Sequence, residues 1–553
     1  MSMTERGNLK AILLVHPPLA KASEPPGGPA RLAGGLSRSG ISCRVWDANI
    51  EGQIALLKAA ADLAPGSSPP ETEDVLSRTD QSCYPHEAFF DDGGQRGSKK
   101  IWLRRAAGRI MENLELLRSE KGYQNNDRYR RAVLDVNHLL SVAGRPFGVR
   151  LTLADYHDER LSPVRSADLL LAAQAPQQNP FYEWFSSRLP LILAERDYSY
   201  AGFSLNYLSQ ALTTFAMIGF LRREYPQIRI VVGGGLITSW MRSPNWKNPF
   251  VGVIDDLVAG PGEIPLLTLL GGAPAGNFSL PDYEGFPVDD YLAPGFVLPY
   301  SASGGCWWRR CTFCPEVAED NPYLPISPAR VAEDLGGLVE RTKPRLIHML
   351  DNALSPALLD AFIAKAPGAP WYGFARVDGR LADGDFCRSL RNSGCVMLKL
   401  GIESGDPFVL EALRKGIELP TVAAVLENLK KVGIAAYVYL LFGTPAENGE
   451  RARRTLSFIE AHADEIAFLN LAIFNLPAAS PEAALYAAGE FYEGDLSLYS
   501  SFVHPEGWNR REVRRFLEGE FKRNPAVARI IRRDPPFFTS NHAPFWVECN
   551  GHG

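Results

Sequence analysis

Cysteine, long hydrophobic runs and an N-terminal signal are all scarce or missing in this sequence, and each absence excludes a class of protein. Eight cysteines in 553 residues are too few for a disulfide framework. No uninterrupted apolar stretch reaches the roughly 18 residues of a membrane-spanning helix, so an integral membrane protein is not expected. The apolar run at residues 11–15 stops at His16 and Pro17 before it could form a signal-peptide core. We therefore expect a cytoplasmic protein.

An excess of one charge is also missing. Lys plus Arg number 58 and Asp plus Glu number 63, which gives a net charge of -5. Such a chain has no general attraction to a polyanion, so nucleic acid is not an expected partner. Hydrophobic residues make up 46% and charged residues 22%, the usual balance of a globular protein. A chain of 553 residues is too long for one core, so we expect two or three domains.

Three of the cysteines lie close together, and they carry the strongest functional signal. Cys306, Cys311 and Cys314 have Cys-x4-Cys-x2-Cys spacing directly after a predicted strand. Three thiolates on a short loop are able to bind three irons of a four-iron four-sulfur (4Fe-4S) cluster and leave the fourth iron open. Structural zinc would need a fourth Cys or His, and none follows in the next twenty residues. Unliganded core cysteines are the remaining alternative.

The first part of the chain alternates strand-like and helix-like stretches. Apolar runs at 11–19 and 42–49 flank a helical stretch at 29–39, and the rhythm returns at 200–206, 209–224 and 228–235. This pattern predicts an α/β, doubly wound Rossmann-like domain that binds its ligand at the carboxyl ends of the strands. Three consecutive glycines after a strand would let a large planar ligand approach the backbone: Gly233, Gly234 and Gly235. We place this domain at 1–290, with a helical insertion at about 52–195 and a linker at 65–74.

The second part alternates again, from about residue 297 to 474. Six strand candidates separated by helical stretches predict a partial, TIM-like (β/α)6 barrel at 291–480, with its chemistry at the carboxyl ends of the strands. An aromatic-rich C-terminal extension, 481–553, follows and is predicted to pack over one end of the barrel. Its aromatic residues are Phe491, Tyr492, Trp508, Phe516, Phe521, Phe537, Phe538, Phe545 and Trp546.

The cysteine loop, GCWWRRCTFC, resembles the cluster motif of the radical S-adenosylmethionine (SAM) superfamily. It has four residues between the first two cysteines where the commonest family spacing has three, as in some cobalamin-associated branches. The resemblance implies that the open iron holds SAM and that one electron cleaves it to methionine and a 5'-deoxyadenosyl radical. The segment GIESG at 401–405 resembles the family's element near SAM and assigns cofactor contacts to Glu403 and Ser404.

Further SAM contacts follow from position at the ends of predicted strands. Asp351, Asn352 and Arg376 occupy places where enzymes of this family bind the amino and carboxylate groups of SAM. The alternative for Glu403 and Ser404 is a structural strand-to-helix turn, and for Arg376 a surface or ion-pair residue. No residue is assigned to catalysis itself.

The N-terminal domain resembles the cobalamin-binding domain fused to many radical SAM enzymes, through the glycine-rich stretch at 25–36, the glycines Gly233 to Gly235 and the GPGE at 260–263. The Asp-x-His-x-x-Gly sequence that supplies a histidine to cobalt is absent, because Asp158 and Glu159 follow His157. Cobalamin bound here would lack that ligand. The alternative is a structural Rossmann domain that helps enclose the substrate.

The resemblance implies a cobalamin-dependent radical SAM methyltransferase that acts on an unactivated carbon of a small-molecule, lipid or peptide substrate. An electron donor such as flavodoxin or ferredoxin would be its partner. A second hypothesis is radical coupling, cyclisation or rearrangement without methyl transfer. A third is a non-catalytic iron-sulfur or cobalamin sensor, which the several SAM-site matches disfavour.

Overall fold

The computed structural model describes residues 10–63, 96–243, 246–273, 278–490, 494–536 and 542–550. The linker predicted at 65–74 lies outside these ranges, and so do four of the aromatic residues of the extension: Phe491, Tyr492, Phe537 and Phe538.

The first sheet is parallel and five-stranded. Its strands are β1 (Ala11–Val15), β2 (Cys43–Trp46), β5 (Tyr198–Ser204), β6 (Arg229–Gly233) and β7 (Asp256–Val258), and they lie in the order β2-β1-β5-β6-β7. This order is one of the two common doubly wound arrangements, in which the chain reverses direction across the sheet between β1 and β5. A ligand crevice is expected at that point, at the carboxyl ends of the strands.

Both faces of this sheet are covered because each strand is apolar on both sides. Ile12 and Leu14 pack with α1 (Gly27–Arg38) and α11 (Glu263–Leu269), whereas Leu13 and Val15 join the core with α9 (Leu208–Glu224). Such a double-sided burial is what a continuous apolar run predicts for a parallel strand. A short helix, α10 (Gly235–Met241), follows β6.

The predicted insertion is helical, with one addition that the sequence did not reveal. Its helices are α2 (Ala48–Leu63), α3 (Arg96–Gly108), α4 (Ile110–Arg118), α5 (Glu120–Tyr123), α6 (Asn126–Gly144), α7 (Ser166–Gln174) and α8 (Tyr182–Leu193). An antiparallel hairpin, β3 (Val149–Leu151) and β4 (Tyr156–Asp158), interrupts them. His157 is exposed on this hairpin, outside the first sheet.

The second sheet has six parallel strands in sequential order. They are β8 (Val297–Tyr300), β11 (Leu346–Met349), β12 (Trp371–Ala375), β13 (Cys395–Glu403), β14 (Ala435–Phe442) and β15 (Phe468–Ile473). The connecting helices are α13 (Pro328–Thr342), α14 (Pro356–Ala364), α15 (Gly384–Asn392), α16 (Pro407–Ala412), α17 (Leu419–Val432) and α18 (Gly449–Ala461). The predicted fold class, a doubly wound domain followed by parallel βα units, is confirmed. The exact domain limits stay predictions.

Helix α16 begins with a side-chain cap and ends earlier than its sequence suggests. The Asp406 side chain accepts a hydrogen bond from the Val409 N–H, and Pro407 occupies the first turn. The helix ends at Ala412, four residues before Gly416, which could have ended it in the left-handed conformation. The early end places Arg414 at a positive φ of 49° and turns Lys415 back toward the sheet.

The two faces of the second sheet differ. Leu398 and Leu400 of β13 pack against the surrounding helices, while Met397 belongs to the core shared with the insertion. We call the side away from the helices the inner face. Rings from strands that are not neighbours meet on it, with the centroids of Phe374 and Tyr439 4.9 Å apart, as expected for a curved sheet.

The C-terminal extension covers both ends of this sheet, whereas the sequence predicted one. Its elements are α19 (Ala483–Tyr486), β17 (Ala487–Glu490), β18 (Tyr499–Phe502), α20 (Arg510–Phe516), a π-helical turn (Leu517–Phe521), α21 (Pro525–Arg533) and α22 (His542–Asn550), and β18 pairs with β16 (Leu476–Pro477), which precedes the extension. At the carboxyl end of β14, Trp508 Nε1 donates to Glu447 at 3.0 Å. At the amino end of β11, Glu548 of α22 pairs with Arg345 at 2.6 Å. None of the helices in the described ranges has the length and apolarity that crossing a membrane requires.

Candidate active site

The three cysteines lie on a loop held between two short strands. β9 (Ser303–Gly304) and β10 (Leu324–Pro325) pair around it, and Cys314 precedes the four-residue helix α12 (Pro315–Ala318). Gly305 has a φ of 69°, and a Cβ there would lie 2.3 Å from the Pro322 carbonyl oxygen. Only glycine fits that position, which explains the glycine directly before Cys306.

Each thiol of the triad is half-buried, and cationic groups lie near Cys306 and Cys311. Burial raises the pKa of Cys311 and raises that of Cys314 to about 11, while Lys415 and Arg376 pull the pKa of Cys311 back down. Within the described ranges, no three His, Cys, Asp or Glu side chains are grouped to hold one metal ion. A cubane does not need that grouping, because each of its thiolate ligands binds a different iron. The donor set, three thiols on one loop beside two cations, fits a 4Fe-4S cluster.

Two tryptophans anchor the loop to the second sheet. Trp307 Nε1 donates to the Leu354 carbonyl at 3.2 Å, and Trp308 Nε1 donates to the Arg414 carbonyl at 3.4 Å. The Arg376 guanidinium lies 3.5 Å from the Trp308 ring centroid and donates to the Gly416 carbonyl at 2.8 Å. Arg376 therefore lies beside the cysteine loop at the end of β12, as predicted, and stacking fixes its plane.

Glu403 ends β13 in an unusual backbone conformation. The register of β13 against β14 shifts between Gly401 and Glu403, and Glu403 has a φ of 68°. Its Oε1 accepts from Lys415 Nζ at 2.8 Å, and both side chains are largely buried. Lys415 Nζ also lies 5.6 Å from the ring of Phe313, inside the cysteine loop. Glu403, Lys415 and the triad thus form one electrostatic neighbourhood.

Ser404 does not share this neighbourhood. Its side chain is fully buried, its hydroxyl lies 3.1 Å from Thr455 Oγ1, and it accepts from the Asp406 N–H at 3.1 Å. These contacts favour the structural-turn alternative for Ser404, because its hydrogen bonds are already used within the protein.

Asp351 and Asn352 behave differently although they are neighbours. Asp351 is buried at the end of β11 and accepts from the Ala302 N–H at 2.9 Å and from Ser303 Oγ at 2.5 Å. It braces the start of the cysteine loop, and burial raises its pKa. Asn352 is exposed and hydrogen-bonds to Glu316 of α12. Of the two, Asn352 has the side chain accessible beside the triad.

The crevice of the first sheet is lined by glycine at two helix starts. Gly235 is exposed, and its N–H donates to Asn206 Oδ1 at 2.9 Å. Across the switch point Gly28 is also exposed, and a Cβ there would meet only Ser204 Oγ at 4.0 Å. Side chains at either place would occupy the crevice. A large planar ligand such as a corrin fits an edge of this kind.

Gly234 has a different reason to be glycine. Its φ is 110°, and a Cβ would lie 2.5 Å from the Leu205 carbonyl oxygen. Its backbone conformation and the close approach of β5 require glycine whether or not a ligand binds. Gly233 is less constrained, since a Cβ there would be 3.4 Å from the Val258 carbonyl oxygen.

The crevice loops contact the side of the second sheet that carries the cysteine loop. Arg31 of α1 donates to the Ser301 carbonyl at 2.6 Å, just after β8. Arg242, just after α10, donates to the Glu319 carbonyl at 2.9 Å, just after α12. Both hydrogen bonds join a crevice element to the segment that surrounds the triad.

Comparison with known proteins identifies the second sheet. Residues 300–459, which include the triad and four of the six strands in full, match the radical SAM superfamily. The chain carries a radical SAM domain. The family predicted from the cysteine loop is confirmed.

Parts of this chain are similar to proteins that are named as methyltransferases or as cobalamin-dependent enzymes. An uncharacterized methyltransferase of Pyrococcus horikoshii is 27% identical over 189 residues, which are 32% of this chain and 40% of that protein. The chain thus matches less than half of the length of this relative. The radical SAM methyltransferase TsrM of Kitasatospora setae, with cobalamin and a 4Fe-4S cluster bound, is 17% identical with a TM-score of 0.42 over 58% of this chain and 71% of TsrM. The cobalamin-dependent radical enzyme OxsB, with aqua-cobalamin bound, is 13% identical with a TM-score of 0.46 over 60% of each chain.

Sequence reasoning missed Lys415, Trp307 and Trp308 as parts of the site. Lys415 follows an ordinary helix, and its pairing with Glu403 spans twelve positions through a helix that ends early. No local pattern marks such a pair. The two tryptophans were visible in the motif, but their anchoring role depends on carbonyl groups far along the chain, at Leu354 and Arg414.

Proposed function

We propose that this chain is a cobalamin-dependent radical SAM methyltransferase that methylates an unactivated carbon of a small-molecule, lipid or peptide substrate. The observation that carries the proposal is the pair of hydrogen bonds from Arg31 and Arg242 to the segment around the triad. They hold the crevice of the first sheet against the cysteine loop. A methyl donor in that crevice and a radical generator at the triad would then face one enclosed space.

Cys306, Cys311 and Cys314 would hold the cluster, and the crevice near Gly28 and Gly235 would hold cobalamin. When bound, the cluster supplies the electron that cleaves SAM, and cobalamin supplies the transferred methyl group. Arg376, Glu403 and Asn352 would orient SAM. Asp351 accepts hydrogen bonds from Ala302 and Ser303 and so stabilises the start of the cysteine loop.

Charge distribution supports the same assignment. Burial raises the pKa of Cys311, and Lys415 and Arg376 oppose this rise, so the two cations favour the thiolate form that binds iron. The Glu403 carboxylate compensates the positive charge of Lys415 and offers a hydrogen-bond acceptor next to the cysteine loop. On the outer side of the loop, Arg309, Arg310 and Arg414 line an open cleft of about 510 Å³, a cationic face suited to an acidic electron donor such as flavodoxin or ferredoxin.

The proposal is tested with anaerobically reconstituted protein, cobalamin, a reductant and SAM labelled in its methyl group. We expect S-adenosylhomocysteine in solution and label that elutes with the protein-bound cobalamin, alongside 5'-deoxyadenosine. Protein that retains no cobalamin, or that forms 5'-deoxyadenosine without any S-adenosylhomocysteine, would contradict methyl transfer. Radical coupling or rearrangement would then be the function.

A further inference from the structure

The inner face of the second sheet carries a group of buried polar side chains that the proposed chemistry does not use. We call it the inner polar cluster: Glu24, His348, Tyr372, Lys399 and His542. Lys399 is 3% exposed, Tyr372 0% and His542 4%. Lys399 alternates with Leu398 and Leu400, which face the helices, so its side chain lies on the inner face. Glu24 comes from the crevice loop after β1 and reaches this face from the first sheet.

A chain of hydrogen bonds links three members of the cluster. Lys399 Nζ lies 2.9 Å from His348 Nε2, and His348 Nδ1 lies 2.7 Å from Glu24 Oε1. An ammonium group only donates, so Nε2 accepts and the neutral ring donates from Nδ1 to the carboxylate. Burial lowers the pKa of His348, which agrees with a neutral ring.

Donors remain unused in this cluster. The Lys399 ammonium has three N–H groups, and the contact with His348 is its one hydrogen bond within the described residues. The Tyr372 hydroxyl and His542 Nδ1 are buried and have no hydrogen-bond partner in the same ranges. Buried donors without acceptors are uncommon in folded proteins, and two such side chains on one face, Lys399 and Tyr372, indicate a ligand.

The unused donors are close to each other. The Tyr372 ring stacks on His348 with centroids 4.4 Å apart, and Lys399 Nζ lies 5.0 Å from the Tyr372 ring centroid. Burial and the nearby positive charge of Lys399 both lower the pKa of His542. Aromatic rings surround the ammonium: Phe374 is 5.1 Å from Lys399 Nζ, and Tyr439 is 4.9 Å from Phe374. A ligand with a polar head and an apolar body would contact the donors with its head and the aromatic rings with its body.

The charges of the cluster select the polar head. Burial lowers the pKa of Lys399 to about 8, Glu24 acts against this effect, and Lys21 adds to it. Glu24 compensates the charge of Lys399, while two N–H groups of Lys399 and the Tyr372 hydroxyl still lack an acceptor within the described residues, so an acceptor group of low charge fits best. A carboxylate carries one negative charge, whereas a phosphate monoester carries about -1.5 to -2. A carboxylate therefore matches the cluster better than a phosphate.

We infer that the inner polar cluster binds a carboxylate of the substrate, with Lys399 and Tyr372 as donors. The inference rests on the proposed function and specifies its substrate as a carboxylic acid with an apolar body. Lys399 lies four residues before Glu403 in β13, about 13 Å at the rise of an extended strand. A carboxylate at Lys399 would thus leave the substrate's other end directed toward the SAM side of the sheet.

The test uses acetate as the probe and acetamide as its neutral isostere, with binding to reconstituted protein followed by saturation-transfer NMR. Wild-type protein is expected to bind acetate with a Kd on the order of 1 mM, as two charge-assisted hydrogen bonds allow, and acetamide at least tenfold more weakly. Lys399→Met is expected to abolish acetate binding. The matched control Lys431→Met removes an exposed lysine of α17 and should leave binding unchanged.

Tyr372→Phe keeps the test valid if Lys399→Met fails to fold. The variant removes a hydroxyl that has no partner in the described residues, so its melting temperature should not fall. Acetate binding should nevertheless weaken about tenfold, which a purely structural tyrosine would not cause.

Failure of this inference is distinguishable from failure of the proposed function. Wild-type protein that forms 5'-deoxyadenosine from SAM but shows no saturable acetate binding would overturn the carboxylate site alone. Equal binding of acetate by wild type and Tyr372→Phe, or of acetamide and acetate by wild type, would overturn it as well. Wild-type protein that forms no 5'-deoxyadenosine would overturn the proposed function, whatever the acetate result.

Discussion

At the scale of single residues, Glu403 is the position where backbone strain and site chemistry coincide. A non-glycine residue at a φ of 68° is held there by its surroundings. The shift in register before it and the pairing of its carboxylate with Lys415 both depend on this conformation. The carboxylate lies beside Lys415 and acts electrostatically on Cys311 of the cysteine loop.

Replacing Glu403 by Ala and by Gly separates the carboxylate from the strain. Both variants should bind SAM roughly ten- to a hundredfold more weakly, since each loses a charged hydrogen-bond acceptor. The glycine variant should be more stable than the alanine variant by about 1 to 2 kcal/mol, because glycine adopts a positive φ without penalty. Calorimetry with SAM and thermal melts of the reconstituted proteins would measure both effects. Wild-type SAM affinity in both variants would mean that Glu403 does not contact the cofactor.

At the scale of structural elements, the turn after β14 joins the sheet to the C-terminal extension. Glu447 is fully buried in this turn, and its Oε2 accepts from the Gly443 N–H at 2.5 Å and from Trp508 Nε1 at 3.0 Å. His504 Nε2 lies 2.8 Å from the Thr444 carbonyl oxygen and adds a second link. Burial raises the pKa of Glu447 to about 7, since water does not solvate its charged form.

The raised pKa of Glu447 predicts a pH-dependent effect of Glu447→Gln. The stability that the neutral carboxyl contributes is complete below its unfolded pKa of about 4.5 and is lost as the pH rises through about 7. Glutamine stays neutral, so the variant should gain on wild type as the pH rises from about 4.5 to about 7, by roughly 3 kcal/mol at most. Melting temperatures at several pH values would show the trend.

Glu427→Gln is the control for this pH series. Glu427 is exposed, and Lys431 lowers its pKa, so its charge changes little between pH 5 and pH 7. A difference in stability between Glu447→Gln and wild type that does not vary from pH 5 to pH 7 would contradict the buried-carboxyl account.

The helix that starts after β1 gives a second prediction at this scale. Gly28→Leu should place a side chain in the crevice and abolish cobalamin retention, while apoprotein stability stays the same or rises by up to about 1 kcal/mol. Gly336→Leu is the matched control, because Gly336 is an exposed glycine of α13 with no atom near its Cβ position. Cobalamin content after reconstitution and desalting is the measurement. If Gly28→Leu retains as much cobalamin as wild type, cobalamin does not bind in this crevice.

At the scale of the whole molecule, the features that could be predicted from the sequence are those encoded over short distances. The apolar runs of β1 and β14 and the spacing of Cys306, Cys311 and Cys314 need only neighbouring residues. The inner polar cluster joins Glu24 to a residue 324 positions away, and no local pattern encodes such a pairing. The sequence resemblance assigned a SAM contact to Ser404, but its side chain is buried and hydrogen-bonds within the protein.

Long-range contacts also explain why the sequence predicted only one of the two ends of the sheet that the C-terminal extension covers. Its aromatic content indicated packing against the barrel, but Trp508 lies near one end of the sheet and Phe545 near the other. Contacts specific to each end decide this: Glu447 for Trp508, and Tyr123 and Tyr129 of the insertion for Phe545, with ring centroids 4.8 and 4.7 Å away. Composition alone does not contain this information.

The central claim is that the triad on the loop after β8 generates radicals from SAM, and one measurement tests it most directly. SAM is incubated with dithionite and anaerobically reconstituted protein, either wild type or a variant with Cys306, Cys311 and Cys314 replaced by Ala. Cys387→Ala is the control, since that cysteine is buried and donates to the Leu381 carbonyl, away from the loop. Wild type and Cys387→Ala should form 5'-deoxyadenosine and methionine in equal amounts, and the triple variant neither. Formation of 5'-deoxyadenosine by the triple variant, or none by wild type, would contradict the account.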